Sequence, residues 1–219
     1  PLTSAVIKWS VNGVMQTPYN WTGYLPQFAV DSLVIANYTF NLGISTIKVW
    51  TESPNNSVDG FPLNDTATLT LYACGGPLSG NYTIGPNGDY TTFNNAIMAL
   101  NSCGIDGAVI FEVSPGIYNE QLNFNLIQGV SATNTITFVS ANNDSTSVIV
   151  DAGANSLGNF AARFNAAQYI TIEKITLRNT IVTGRVIDIT NASKYITIKG
   201  CIIQSSPGST SSTSAGVYS

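Results

Sequence analysis

The stretch Gln168-Tyr-Ile-Thr-Ile-Glu-Lys-Ile-Thr-Leu-Arg-Asn179 returns 26 residues later as Lys194-Tyr-Ile-Thr-Ile-Lys-Gly-Cys-Ile-Ile-Gln-Ser205. Within the first copy Ile170 and Ile172 share one side-chain phase, and Ile175 and Leu177 share the opposite one. Strand side chains alternate with period two, so all four face inward only if the chain turns a corner at Glu173-Lys174. The second copy repeats this: Ile196 and Ile198, then Lys199-Gly200, then Cys201 and Ile203, with glycine suited to the bend. Asn165-Ala166 and Asn191-Ala192 match at the same offset. Two strands and a corner at a fixed interval describe one coil of a solenoid, with neighbouring coils ~4.8 Å apart. Ile172 should then stack beneath Ile198 inside, with Glu173 beneath Lys199 as an exposed ion pair. A single antiparallel hairpin is the competing arrangement, but no two-residue turn joins the copies.

The rest of the chain is strand-like too. Only 9% of its 219 residues are charged, so the surface falls to Asn, Ser, Thr, Gly and Tyr and helix-building residues are scarce. Strands are predicted over 5–10, 31–40, 46–51 and 66–72, where Leu69 and Leu71 share a face and suggest a half-buried sandwich strand. The cluster Cys74-Gly-Gly-Pro-Leu-Ser-Gly80 breaks the pattern and sets the boundary between a module at 1–75 and a second at 76–219. One helix is predicted, from Phe93, Ile97 and Leu100 at helical spacing, with Thr91 or Thr92 as N-cap and Gly104 past its end. Strands over 108–113, 121–125, 135–140 and 147–150 lead into the repeat. The fold class is all-β: an immunoglobulin-like sandwich followed by the start of a parallel β-helix.

With eight basic and twelve acidic residues and a net charge of -4, the chain has no basic stripe for phosphates, which argues against nucleic acid as a partner. No apolar run reaches the ~20 residues of a membrane-spanning helix. The chain lacks an initiator Met and stops at Ser219 in what reads as a new strand, Gly216-Val-Tyr-Ser, which predicts a segment of a longer protein. Of three cysteines at least one is unpaired. Cys201, among isoleucines, reads as a buried thiol, while Cys74 and Cys103, beside Gly-containing turns, are candidates for a disulfide if the protein is extracellular.

The stretch Gly80-Asn-Tyr-Thr-Ile-Gly-Pro-Asn-Gly-Asp-Tyr-Thr-Thr-Phe-Asn-Asn-Ala-Ile97, then Pro115-Gly-Ile-Tyr-Asn-Glu-Gln121, then the two copies, resemble right-handed, pectin-lyase-like parallel β-helix proteins of the Bacteroidetes cell surface. That resemblance implies a helix capping the first coil. Ile7-Lys-Trp-Ser-Val-Asn-Gly13, Trp21-Thr-Gly23, Thr46-Ile-Lys-Val-Trp-Thr-Glu-Ser-Pro-Asn55 and Asn64-Asp-Thr66 resemble immunoglobulin-like adhesion-related modules of the same secreted proteins, many of which leave by the type IX system. The resemblance implies an extracellular or outer-membrane surface location. Asp31-Ser32-Leu, Asp65-Thr66-Ala and Asp144-Ser145-Thr resemble the O-glycosylation signal of Bacteroidetes, making Ser32, Thr66 and Ser145 candidate acceptors. Asn37-Tyr-Thr and Asn191-Ala-Ser are N-glycosylation triplets relevant only to a eukaryotic source.

Parallel β-helices also carry polysaccharide lyases and glycosidases. The absence of histidine removes the commonest general base, and the acids Glu112, Glu120, Asp144, Asp151, Glu173 and Asp188 are scattered, whereas a glycosidase needs two that converge. No catalytic residue and no cofactor is assigned. Arg185 with Asp188, near Arg163 and Arg178, could contact an anionic sugar or simply keep outward strand positions soluble. Asn55, Asp59 and Asp65, with Asn56 and Asn64, form a weak calcium candidate, since Asx residues are also ordinary turn formers. Tyr19, Trp21 and Tyr24 could stack on sugars, although core packing explains them better. The expected role is a non-catalytic structural or adhesive segment of a surface protein, with surface polysaccharide, another surface protein or further domains of the same chain as partners. The alternatives are a carbohydrate-active enzyme with its site on coils beyond Ser219 and a subunit of a filament or sheath. The Ser/Thr-rich run after Ser205 delays the next coil, with Gly216-Val-Tyr matching Arg185-Val-Ile, and is the expected place for an extruded contact loop.

Overall fold

The computed structural model describes residues 1–61, 64–153, 159–206 and 215–218. The chain forms two compact units, Pro1–Ala73 and Cys74–Ser219. No helix in the described residues is long and apolar enough to cross a membrane.

The first unit is one antiparallel sheet. Strand β1 (Leu2–Val11) is central: β2 (Val14–Met15) and β3 (Tyr19–Leu25) pair along one edge and β4 (Gly43–Glu52) along the other, with β5 (Thr66–Ala73) outside β4. Asn12 and Gly13 hold positive φ in the hairpin between β1 and β2, as an Asn-Gly turn requires. Two expectations change here. Segment 31–40 is not a strand, because β3 already occupies the edge of β1. Its rings serve as a cover instead: Tyr38 stands edge-on to Trp9 at 5.8 Å and meets Phe40 at 4.9 Å. The strand carrying Leu69 is an edge with one neighbour, so Leu69 is 59% exposed rather than half-buried in a sandwich. The first unit contains a single sheet among the described residues.

The second unit is a β-solenoid of about five turns. Three parallel sheets run along it. The first is β6 (Leu78–Ile84), β7 (Ile105–Val113), β10 (Ile136–Ser140), β13 (Ile170–Glu173) and β16 (Thr197–Lys199). The second is β8 (Gly116–Tyr118), β11 (Val148–Asp151), β14 (Thr176–Asn179) and β17 (Ile202–Ser205). The third is β9 (Leu122–Phe124), β12 (Phe160–Asn165), β15 (Arg185–Thr190) and β18 (Ala215–Tyr218). Register places like above like: Tyr82, Phe111, Phe138, Ile172 and Ile198 form one inward column. Phe111 stacks on Phe138 at 4.7 Å, and Phe124 on Phe164 at 5.2 Å, offset-stacked pairs that add to their area burial.

The corner lies where the parity change requires it. Ile170, Ile172, Ile175 and Leu177 are all fully buried, and the bend is made by Lys174 at φ +54° and, one coil on, Gly200 at φ +59°. Ala166 with Ala192 and Tyr169 with Tyr195 are further left-handed pairs at the same offset. Glu173 and Lys199 pair at 2.8 Å, an exposed contact contributing no more than about 1 kcal/mol.

Helix α1 (Phe93–Cys103) buries Phe93, Ala96, Ile97, Ala99 and Leu100. The Thr92 hydroxyl accepts from the Asn95 amide at 3.1 Å, and Gly104 ends the helix at φ +66°. A disulfide joins Cys74 to Cys103 across 29 residues of chain. The Cys201 thiol donates to the Ile172 carbonyl at 3.3 Å, and burial pushes its pKa up.

The last strand differs from expectation by one residue. Ala215, not Gly216, is level with Arg185, and Val217 is level with Ile187. A one-residue slip exchanges inward for outward positions, so the match of Gly216-Val-Tyr to Arg185-Val-Ile is corrected. The Ser/Thr-rich run expected to form a contact loop falls at 207–214, outside the described residues.

Candidate functional site

The third sheet carries a polar surface on the second unit. Its strands alternate, so Leu122, Ala162 and Ile187 point into the core while Asn123, Arg163 and Asp188, each in register with the next, point outward. Two residues along, Asn165 is level with Thr190. Asn123, Arg163, Asn165, Thr190 and Asn191 line a surface hollow of about 360 Å³.

Arg163 is held in place from two sides. Its Nε donates to Asp188 Oδ2 at 2.7 Å, and its guanidinium lies 4.0 Å from the Phe160 ring centre. Arg185 Nη1 donates to Asp188 Oδ1 at 3.1 Å. The Asp188 side chain is 1% exposed, and a carboxylate buried that deeply requires such charge-assisted partners. Beside them runs a row of amides: Asn191 Nδ2 donates to Asn165 Oδ1 at 2.5 Å, and Asn165 Nδ2 donates to Asn125 Oδ1 at 2.9 Å.

Of the arginines grouped by sequence, Arg163 and Arg185 converge on Asp188, but Arg178 does not join them. It lies on the second sheet and binds Asp151 Oδ2 through Nε at 3.0 Å and Nη2 at 2.7 Å. Glu120 accepts the Phe93 and Asn94 amides at 3.2 and 2.8 Å, closing the start of α1. Burial raises its pKa, against the lowering pull of these amides and the Thr92 hydroxyl.

In the first unit Asp59 and Asp65 are neighbours, but Asn55 is not with them. Asn55 Oδ1 accepts from the Thr3 amide at 2.7 Å and hydroxyl at 3.0 Å, while Asn56 lines a hollow of about 400 Å³ with both aspartates. The Phe61 amide and then the Asp65 carboxyl lower the Asp59 pKa, and the bond to Asp59 raises that of Asp65. No group of three or more His, Cys, Asp or Glu able to hold a metal occurs among the described residues. Trp21 is buried with its Nε1 donating to Asp31 at 3.3 Å, whereas Tyr24 is 71% exposed and Tyr19 half-buried. Ser32 and Thr66 are exposed and Ser145 is half-buried.

One pair was not singled out from sequence. Tyr169 and Tyr195 stack at 4.5 Å with their planes 15° apart, Tyr195 being 65% exposed. The signal was present, as the tyrosine in second place of both copies of the repeat.

This architecture defines the second unit as a parallel β-solenoid. No protein-family model, curated protein or solved structure matches the chain.

Proposed function

We propose that the chain is a non-catalytic, structural or adhesive segment of an extracellular bacterial surface protein. The observation that carries this reading is how five acids of the solenoid are used. Asp188 binds two arginines, Asp151 binds Arg178, Glu173 binds Lys199, Glu120 closes the helix and Asp144 accepts the Thr146 amide at 2.9 Å. These contacts fasten coil to coil or close a turn, so the acids serve the assembly of a lengthening, polar-faced solenoid. The disulfide between Cys74 and Cys103 supports an oxidising, extracellular setting. The finer reading, in which the first unit is an immunoglobulin-like adhesion module, export follows the type IX route of Bacteroidetes, and Ser32, Thr66 and Ser145 carry glycans, rests on the resemblance of the quoted motifs.

Two measurements test the proposal. Labelling of intact cells with a membrane-impermeant amine reagent should modify this protein, and incubation with a panel of acidic and neutral polysaccharides should release neither reducing ends nor unsaturated products. Protection of the protein in intact cells, or turnover of any polysaccharide, would refute it.

A further inference from the structure

We propose that the hollow on the third sheet is a binding site for a sugar acid, whose carboxylate sits on Arg163. The guanidinium is fixed before any ligand arrives, by Asp188 on Nε and by Phe160 on its face. Its Nη1 and Nη2 make no hydrogen bond among the described residues, although Arg163 lines the hollow. Arg178 on the second sheet spends both Nε and Nη2 on Asp151, so the open fork of Arg163 is a local feature. A planar fork held in one place is the geometry that recognises a carboxylate.

Charge agrees with this. None of the five lining residues is acidic. Asp188 lies behind the lining and gives one oxygen to each of Arg163 and Arg185.

The remaining groups suit hydroxyls. The Asn123 side chain is exposed and makes no hydrogen bond among the described residues. Thr190 Oγ1 donates to the Phe164 carbonyl at 3.3 Å and keeps its acceptor lone pairs, and Asn191 uses Nδ2 on Asn165, leaving Oδ1 open. A carboxylate flanked by hydroxyls uses this whole set, whereas a plain anion uses only the fork. The volume of about 360 Å³ falls in the range of small-molecule sites.

The test is calorimetric titration of the intact chain at low ionic strength with sodium glucuronate, glucose and sodium acetate. Glucuronate is expected to bind saturably, with glucose and acetate weaker by about tenfold or more, the scale of a charge-assisted hydrogen bond. Because Arg163→Gln would also strip a partner from the buried Asp188, the variant is Asn123→Asp, which sets the protein's own carboxylate against the open fork. It should weaken glucuronate by about tenfold, while Arg178→Gln on the second sheet leaves it unchanged. Absence of glucuronate binding, acetate binding as tightly as glucuronate, or an unaltered affinity in Asn123→Asp would each overturn the proposal.

Discussion

Truncating Ile172 to alanine tests the stacked column directly. Ile172 is fully buried, level with Phe138 on one side and Ile198 on the other. The change removes three carbons, roughly 2.4 kcal/mol of transfer free energy at about 0.8 kcal/mol per methylene. The cavity left between two fixed coils brings the total to about 3–4 kcal/mol, within the range for such truncations. Thr171, one residue earlier, points outward and is half-exposed, so Thr171→Ala should stay within about 0.5 kcal/mol. Ile198, in the same column, is only half-buried, and Ile198→Ala should fall between them at about 1–2 kcal/mol. In urea, with a slope of about 2–3 kcal/mol/M, the Ile172 variant should lower the midpoint of the solenoid transition by about 1–2 M. Circular dichroism at a series of urea concentrations reads all three. Equal sensitivity at positions 171 and 172 would refute the corner and the inward column together.

Other perturbations separate the remaining contacts. Asp188→Asn leaves Arg163 and Arg185 without their shared carboxylate and should cost about 3 kcal/mol, against less than about 1 kcal/mol for Glu173→Gln at the exposed pair; thermal melts of the two variants check the order. Reducing the Cys74–Cys103 disulfide frees a loop of 29 residues and should cost about 3–4 kcal/mol by loop-closure entropy, visible as a lower Tm in dithiothreitol. Glu120, whose folded pKa burial holds above the usual carboxylate value, binds its proton more tightly folded than unfolded. Its stabilisation is therefore full below the unfolded pKa and is lost as pH rises through the folded one. Glu120→Gln should remove that part of the slope, measured as urea midpoints across the acidic range.

The solenoid was legible because burial on one side writes a period of two into the chain, and the phase change between Ile172 and Ile175 marks a corner that no flat strand could contain. The interval was less general than it looked. Register advances 26 residues from Ile172 to Ile198 but 34 from Ile136 to Ile170, because loops between strands take up any length without disturbing the core. The same freedom explains the one-residue error at Ala215, where only Val217 could have anchored the phase. Segment 31–40 reads as a strand by composition, but a strand needs a free edge, and β3 had taken it. The polar cluster was half legible: Arg163, Arg185 and Asp188 meet because they share a sheet, while Arg178 sits on another, and distance along the chain does not say which of three faces a residue occupies.

The left-handed positions at Ala166, Tyr169 and Lys174, mirrored at Ala192, Tyr195 and Gly200, make the coil the natural unit of genetic change here. Excising residues 167–192 would join Ala166 to Ser193 with the backbone bends still in sequence, as if a storey had been taken from a building whose floors share one plan. Losing a single residue from β13 would exchange core and solvent for every later side chain of that strand. A gene encoding such a chain can change length in whole coils far more readily than by ones.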